Sequence, residues 1–109
     1  MIDTEILIIG GGAAGLTAAI ELSQDRKVSV ISKEKIVDSS TWYAQGGIAA
    51  VMGEKDSIEE HISDTLEVGD GICNKNAVSH CVKNSKAAIN WLIEMGVNFT
   101  KTKDGEKLH

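Results

Sequence analysis

Six consecutive small residues, Gly10-Gly11-Gly12-Ala13-Ala14-Gly15, constrain this chain more than any other feature, because of what stands on either side of them. The run at 5–9 is rich in Ile and Leu, and continuous apolar character of that kind suits a parallel strand covered on both faces. After the glycines the pattern predicts a helix over 13–23, with Ala14, Ala18 and Leu22 four apart on an inner face small enough to lie close to a sheet. Gly10, Gly12 and Gly15 therefore form G-x-G-x-x-G at a strand-to-helix turn. The first glycine permits a tight turn, the second lets a pyrophosphate approach the backbone, and the third lets helix and strand pack closely. Unpaired N–H groups and the helix dipole then favour an anion. A tight turn alone needs no ligand, but the strand before it and the helix after it point to dinucleotide binding.

A second strand is predicted at 28–32, which completes one βαβ unit in about 30 residues. In a nicotinamide-binding unit this strand ends on an acid that takes the ribose hydroxyls. Here it ends Ser32-Lys33-Glu34. Ser32 holds the usual position and Glu34 serves only if the strand runs longer, which counts against a plain NAD dehydrogenase. Lys33 is equally readable as a phosphate or ribose contact and as a solvated loop lysine.

The rest of the chain has no Pro, so its boundaries fall on Gly, Asp, Asn and Ser. Around Trp42-Tyr43-Ala44-Gln45, helix and loop are both open. Ser57 and Glu60 fit a capping box, and Ile58, Ile62 and Leu66 repeat every four residues, predicting a helix ended by Gly69 and Gly71. Asn74 can cap a third helix with an apolar face of Val78, Cys81, Val82, Ile89, Leu92 and Ile93, stopped at Gly96. Asp104-Gly105 is a turn signal for a hairpin between 97–103 and 106–109.

A length of 109 residues leaves room for one small domain, less than a complete nucleotide-binding α/β enzyme usually needs. The net charge of -5 argues against nucleic-acid binding. It is local: seven acids and a single lysine lie between Glu54 and Asp70, mostly on the polar face of the second predicted helix. Apolar stretches break well before the ~18 residues of a membrane span, and the acidic start Met1-Ile2-Asp3-Thr4-Glu5 is no secretory or transit signal. Two cysteines give no disulfide framework, which suits a reducing, cytoplasmic setting. Cys73, His80 and Cys81 lack a clear fourth metal ligand, and Cys81 reads more simply as a core thiol, so no metal site is expected. His61 and Arg26 read as solvated surface residues.

Ser32-Lys33, followed by Ser40-Thr41-Trp42-Tyr43-Ala44-Gln45-Gly46-Gly47-Ile48-Ala49-Ala50, resembles the flavoprotein family of L-aspartate oxidase, fumarate reductase and succinate dehydrogenase. The resemblance implies that the βαβ unit binds the ADP half of FAD and that Ser40 to Gly47 run along the flavin. Gly46 and Gly47 would permit close backbone approach, while Ser40, Thr41 and Gln45 supply donors and acceptors. The expected cofactor residues are thus Gly10 to Gly15, Lys33 and Ser40 to Gly47. Fumarate reductase and succinate dehydrogenase flavoproteins typically carry a flavin-linked His just before the Thr. Ser40 stands there and cannot make that bond, so FAD is expected to be non-covalent.

Asp56-Ser57-Ile58-Glu59-Glu60-His61, Gly69-Asp70-Gly71-Ile72-Cys73 and Trp91-Leu92-Ile93-Glu94-Met95-Gly96-Val97 resemble the L-aspartate oxidase branch. That likeness implies oxidation of L-aspartate to iminoaspartate with oxygen or fumarate as electron acceptor, in de novo NAD biosynthesis, and quinolinate synthase as consumer of the product. It also implies that the catalytic Arg and the substrate ligands lie beyond residue 109, so no catalytic residue is expected in the chain. The expected fold is α/β: a Rossmann-like FAD-binding βαβ unit, two helices and a short β-hairpin. Residues 1–109 would be the incomplete amino-terminal part of a larger FAD/NAD(P)-binding domain.

Overall fold

A computed structural model describes residues 3–44, 47–53, 56–101 and 108. The chain divides into two compact units, 1–47 and 48–109.

The first unit contains strand β1 (Ile6–Ile9), helix α1 (Ala13–Leu22), strand β2 (Val28–Ile31) and one short helical turn at Ile36–Asp38. β1 and β2 pair in parallel, Ile6 opposite Val28 through Ile9 opposite Ile31, and the Gly10 N–H extends the ladder to the Ile31 carbonyl at 2.8 Å. Each strand is one residue shorter than its apolar run predicts. Glu5 is drawn out of β1 by the turn: its carboxylate accepts the Lys27 N–H at 2.9 Å and pairs with Arg26 at 3.6 Å. β2 stops at Ile31, so Ser32 opens the loop and Glu34 lies beyond the strand.

The α1 face differs from the predicted one. Ala18 is half-buried as expected, but Ala14 and Leu22 are exposed, and the covered positions are Gly15, Leu16, Ala18 and Ala19. A helix apolar nearly all round carries no periodic signal to orient it, so one close contact decides. A Cβ at Gly15 would run into the Gly10 carbonyl oxygen. That approach turns the Gly15 side of α1 inward, and Gly10 itself takes φ 118°, which a side chain would strain. Among the described residues β1 is covered on one face: Ile6 and Ile8 are half-buried, whereas Leu7 and Ile9 are exposed, Ile9 at 81%.

The second unit is built on α2 (Ile58–Val68) and α3 (Lys75–Glu94), packed against each other. Both predicted caps form. Ser57 Oγ accepts the Glu60 N–H at 3.0 Å, and Asn74 Oδ1 accepts the Ala77 N–H at 3.1 Å. Val82 at 7% and Ile89 at 4% exposure are the buried hydrophobic residues among those described. Cys81, one position from Val82, is exposed rather than a core thiol, because among the described elements α3 packs against α2 and so has a narrow covered stripe. Ile93 is exposed for the same reason. Lys101 and Leu108 form an isolated antiparallel bridge. The predicted Asp104-Gly105 turn lies outside the described residues.

Candidate functional site: a glycine turn and the segment that closes on it

α1 begins without a cap of its own. Gly12 occupies the N-cap position with extended backbone, has no side chain to offer, and the first turn contains no acid. The helix therefore presents amide N–H groups and the positive end of its dipole with nothing local to neutralise them. The Ala13 N–H finds its partner 28 residues downstream, donating to Thr41 Oγ1 at 3.1 Å.

Thr41 reaches that position because the segment after β2 folds back on the glycine turn. Ile36 Cγ1 and the Ser32 side chain lie 3.3–3.5 Å from where a Gly11 Cβ would stand, and Gly11 is buried. The segment is braced internally. The Trp42 N–H donates to Ser39 Oγ at 3.2 Å, the Tyr43 hydroxyl to Asp38 Oδ1 at 2.9 Å, and the Tyr43 N–H to the Ser39 carbonyl at 3.2 Å. Residues 40–43 thus form a hydrogen-bonded turn, which answers the helix-or-loop question left open by the sequence.

The glycines have different reasons. Gly10 needs its positive φ, Gly15 the close contact, and Gly11 the space taken by Ile36 and Ser32. Gly12 needs neither: its φ is -80°, and a Cβ would meet only Thr41 Oγ1 at 3.5 Å. Among the described residues a Cβ at Gly47 would meet no atom within 4 Å. Neither position is required to be glycine by the packing of the described residues. An open backbone at an uncapped helix start, with hydroxyls beside it, fits a bulky anionic ligand such as a dinucleotide diphosphate.

The structure brings Gly10 to Gly15 together with Thr41, places Ser32 against Gly11, and adds Ile36, Asp38 and Ser39 as supports that sequence reasoning did not single out. The Asp38–Tyr43 bond depends on how the turn folds and has no signature in spacing. Ser40, Trp42, Tyr43 and Ala44 are exposed on the segment, and Lys33 is exposed in the bend after β2. Gln45 and Gly46 lie outside the described residues.

In the second unit, a cavity of about 540 Å³ opens against α2 and α3, lined mainly by apolar residues including Val78, Val82, Ile89 and Leu92. His61, expected at the surface, is half-buried and lines it. Among the described residues no group of three His, Cys, Asp or Glu side chains can hold a metal ion. Nor is any described helix long and apolar enough to cross a membrane.

Comparison with known proteins identifies the family of the chain. An FAD binding domain family model matches residues 5–109. The L-aspartate oxidase of Vibrio cholerae is 47% identical over 105 residues, covering 96% of this chain and 20% of its own length. That of Pseudomonas aeruginosa is 46% identical over 97 residues, covering 89% and 18%. Among solved structures, a variant of E. coli quinol fumarate reductase superposes with a TM-score of 0.88 at 33% identity, covering 99% of this chain and 19% of that one. Mycobacterium smegmatis Sdh1 gives 0.84 at 32% identity, covering 94% and 18%. The chain spans about a fifth of the length of the relatives it matches. Matched by the family model from residue 5 to residue 109, and by relatives at 46–47% identity along most of its length, the chain belongs to the FAD binding domain family, and FAD is the cofactor its relatives imply.

Proposed function

We propose that residues 1–109 form the amino-terminal, FAD-holding part of an L-aspartate oxidase, with a Rossmann-like βαβ unit as its ADP-binding half. The observation that carries the reading is the Ala13–Thr41 hydrogen bond, which joins the two segments that the cofactor would touch. The α1 N-terminus and Gly12 would receive the diphosphate, with the dipole favouring its charge. Lys33 offers a cation at the end of β2. Ser40 and Thr41 offer hydroxyls, and Trp42 and Tyr43 offer exposed aromatic surface along the same segment. When bound, FAD supplies the two-electron acceptance by which L-aspartate becomes iminoaspartate. This chain contributes binding and orientation. The residues that act on aspartate lie in the larger protein, so the 109-residue chain alone is expected to be inactive.

Oxygen or fumarate would be the electron acceptor, the setting cytoplasmic, and quinolinate synthase a functional partner through the product. Higher identity to L-aspartate oxidases, 46–47% against 32–33% for the two solved structures described above, supports this reading over a fumarate reductase or succinate dehydrogenase-like flavoprotein. The backbone likeness to quinol fumarate reductase keeps that alternative as the second reading. Purified full-length protein decides between them. It should be yellow, release all its flavin on acid denaturation, and oxidise aspartate with peroxide formation or fumarate reduction. Activity on succinate without activity on aspartate would favour the second reading, and flavin retained on the denatured chain would contradict the non-covalent assignment at Ser40.

A further inference from the structure

We infer that Thr41 is a positioning residue that caps α1 from a distance, so that the glycine turn and the 36–44 segment assemble as one unit before the cofactor arrives. The inference rests on the FAD reading for its consequence but on the hydrogen bonding for its substance. α1 has no side-chain cap at Gly12, and an uncapped helix start leaves its first N–H groups without intrahelical partners. Thr41 Oγ1 supplies an acceptor to the first helical residue, Ala13. This is the work of an N-cap hydroxyl, done by a residue 28 positions later in the chain.

Two independent features aim Thr41 at α1. Ile36 and Ser32 pack 3.3–3.5 Å from where a Gly11 Cβ would stand, which docks the start of the segment against the turn. The Ser39, Asp38 and Tyr43 hydrogen bonds then shape the residues around Thr41. The cap does not exhaust the hydroxyl. One that accepts a helix N–H still has its own proton to donate, and accepting makes it a better donor. Thr41 therefore extends the polarity of the helix end outward instead of blocking it.

The test uses Thr41→Val, which keeps the branched shape and loses the hydroxyl, and Thr41→Ser, which keeps the hydroxyl. In the 109-residue protein, amide exchange at Ala13 should speed up about five- to tenfold in the Val variant and return to the wild-type rate in the Ser variant. The Ile6 amide in β1, bonded to the Lys27 carbonyl within the same unit, serves as the control for unfolding of that unit. In the full-length protein, FAD should bind about tenfold more weakly to the Val variant, and the Ser variant should restore it. Unchanged Ala13 exchange in the Val variant, or FAD affinity equal to wild type, would overturn the inference. Failure of wild-type full-length protein to bind FAD would overturn the flavin reading instead, while the exchange result still decides whether Thr41 caps α1.

Discussion

The Gly15 and Gly10 backbones meet so closely that a Cβ on the first would overlap the carbonyl oxygen of the second. The third glycine of G-x-G-x-x-G is therefore a structural element of the turn, whereas the second, Gly12, has no such neighbour.

This asymmetry separates folding from binding within one motif. Gly15→Ala should destabilise the first unit by about 1–3 kcal/mol, because backbone has to move. Gly12→Ala should cost under about 1 kcal/mol, the modest loss of replacing glycine at an N-cap. For FAD the order reverses: the Gly12 variant should lose at least about tenfold in affinity by filling the approach of the diphosphate. Urea unfolding of both variants, beside FAD titration of the full-length protein, would show the crossover. Parallel losses in both measurements would contradict it.

The glycine turn was legible because its meaning is local: an apolar run, a fixed glycine spacing and a helix pattern together define a strand-to-helix turn. The caps were legible for the same reason, since Ser57 and Asn74 each bond an N–H three residues on. The facing of α1 was not. Its residues are apolar on nearly every side, and Gly15 against Gly10 is a contact between backbones that no hydrophobic period records. Cys81 illustrates a different limit. Its position in the α3 pattern adjoins Val82, but how wide a stripe is covered depends on how many elements pack against the helix. The family-like segment made the Thr41 hydroxyl an expected cofactor group. Its bond to Ala13 became visible only once the backbone had folded back.

Glu5 and Arg26 form an ion pair whose two halves should contribute unequally. The pair is 3.6 Å long with both side chains about half exposed, a situation worth about 0–1 kcal/mol. Glu5 also accepts the Lys27 N–H at the entry to β2. Arg26→Ala should change stability by less than about 0.5 kcal/mol, and Glu5→Gln should leave the Lys27 bond largely intact. Glu5→Ala should cost about 1–2 kcal/mol by removing the acceptor. Equal losses in the two alanine variants, measured by denaturant midpoint, would place the energy in the ion pair after all.

Ile89 and Ile93 lie on the same predicted apolar stripe of α3, yet only the first is enclosed, at 4% exposure against 43%. Ile89→Ala should cost about 2–5 kcal/mol, enough to unfold a unit with so small a core. Ile93→Ala should cost under about 1 kcal/mol, in keeping with a side chain that leaves water only in part. Circular dichroism at increasing urea would report both, and a large loss at Ile93 would mean that something covers that face in solution.

Gly69 offers the sharpest separation of two reasons for one residue. As a helix stop, glycine is expected to adopt a left-handed conformation, but Gly69 has φ -71° and the positive angles fall on Asp70 and Gly71. Its backbone conformation thus tolerates a side chain. The space does not, since a Cβ there would collide with Cys73 Sγ, which sits 3.9 Å from the Thr65 carbonyl. Gly69→Ala should therefore destabilise the second unit by about 1–3 kcal/mol. Combining it with Cys73→Ala should recover part of that loss, because the sulfur is the nearest obstacle. Recovery should be incomplete, as the Thr65 carbonyl oxygen at 3.1 Å and Cys73 Cβ at 3.3 Å still crowd the position. A double-mutant cycle read by urea unfolding should give a coupling of about 1 kcal/mol in the rescuing direction. Additive losses would instead mean that Gly69 is required by its backbone, as a helix stop would be.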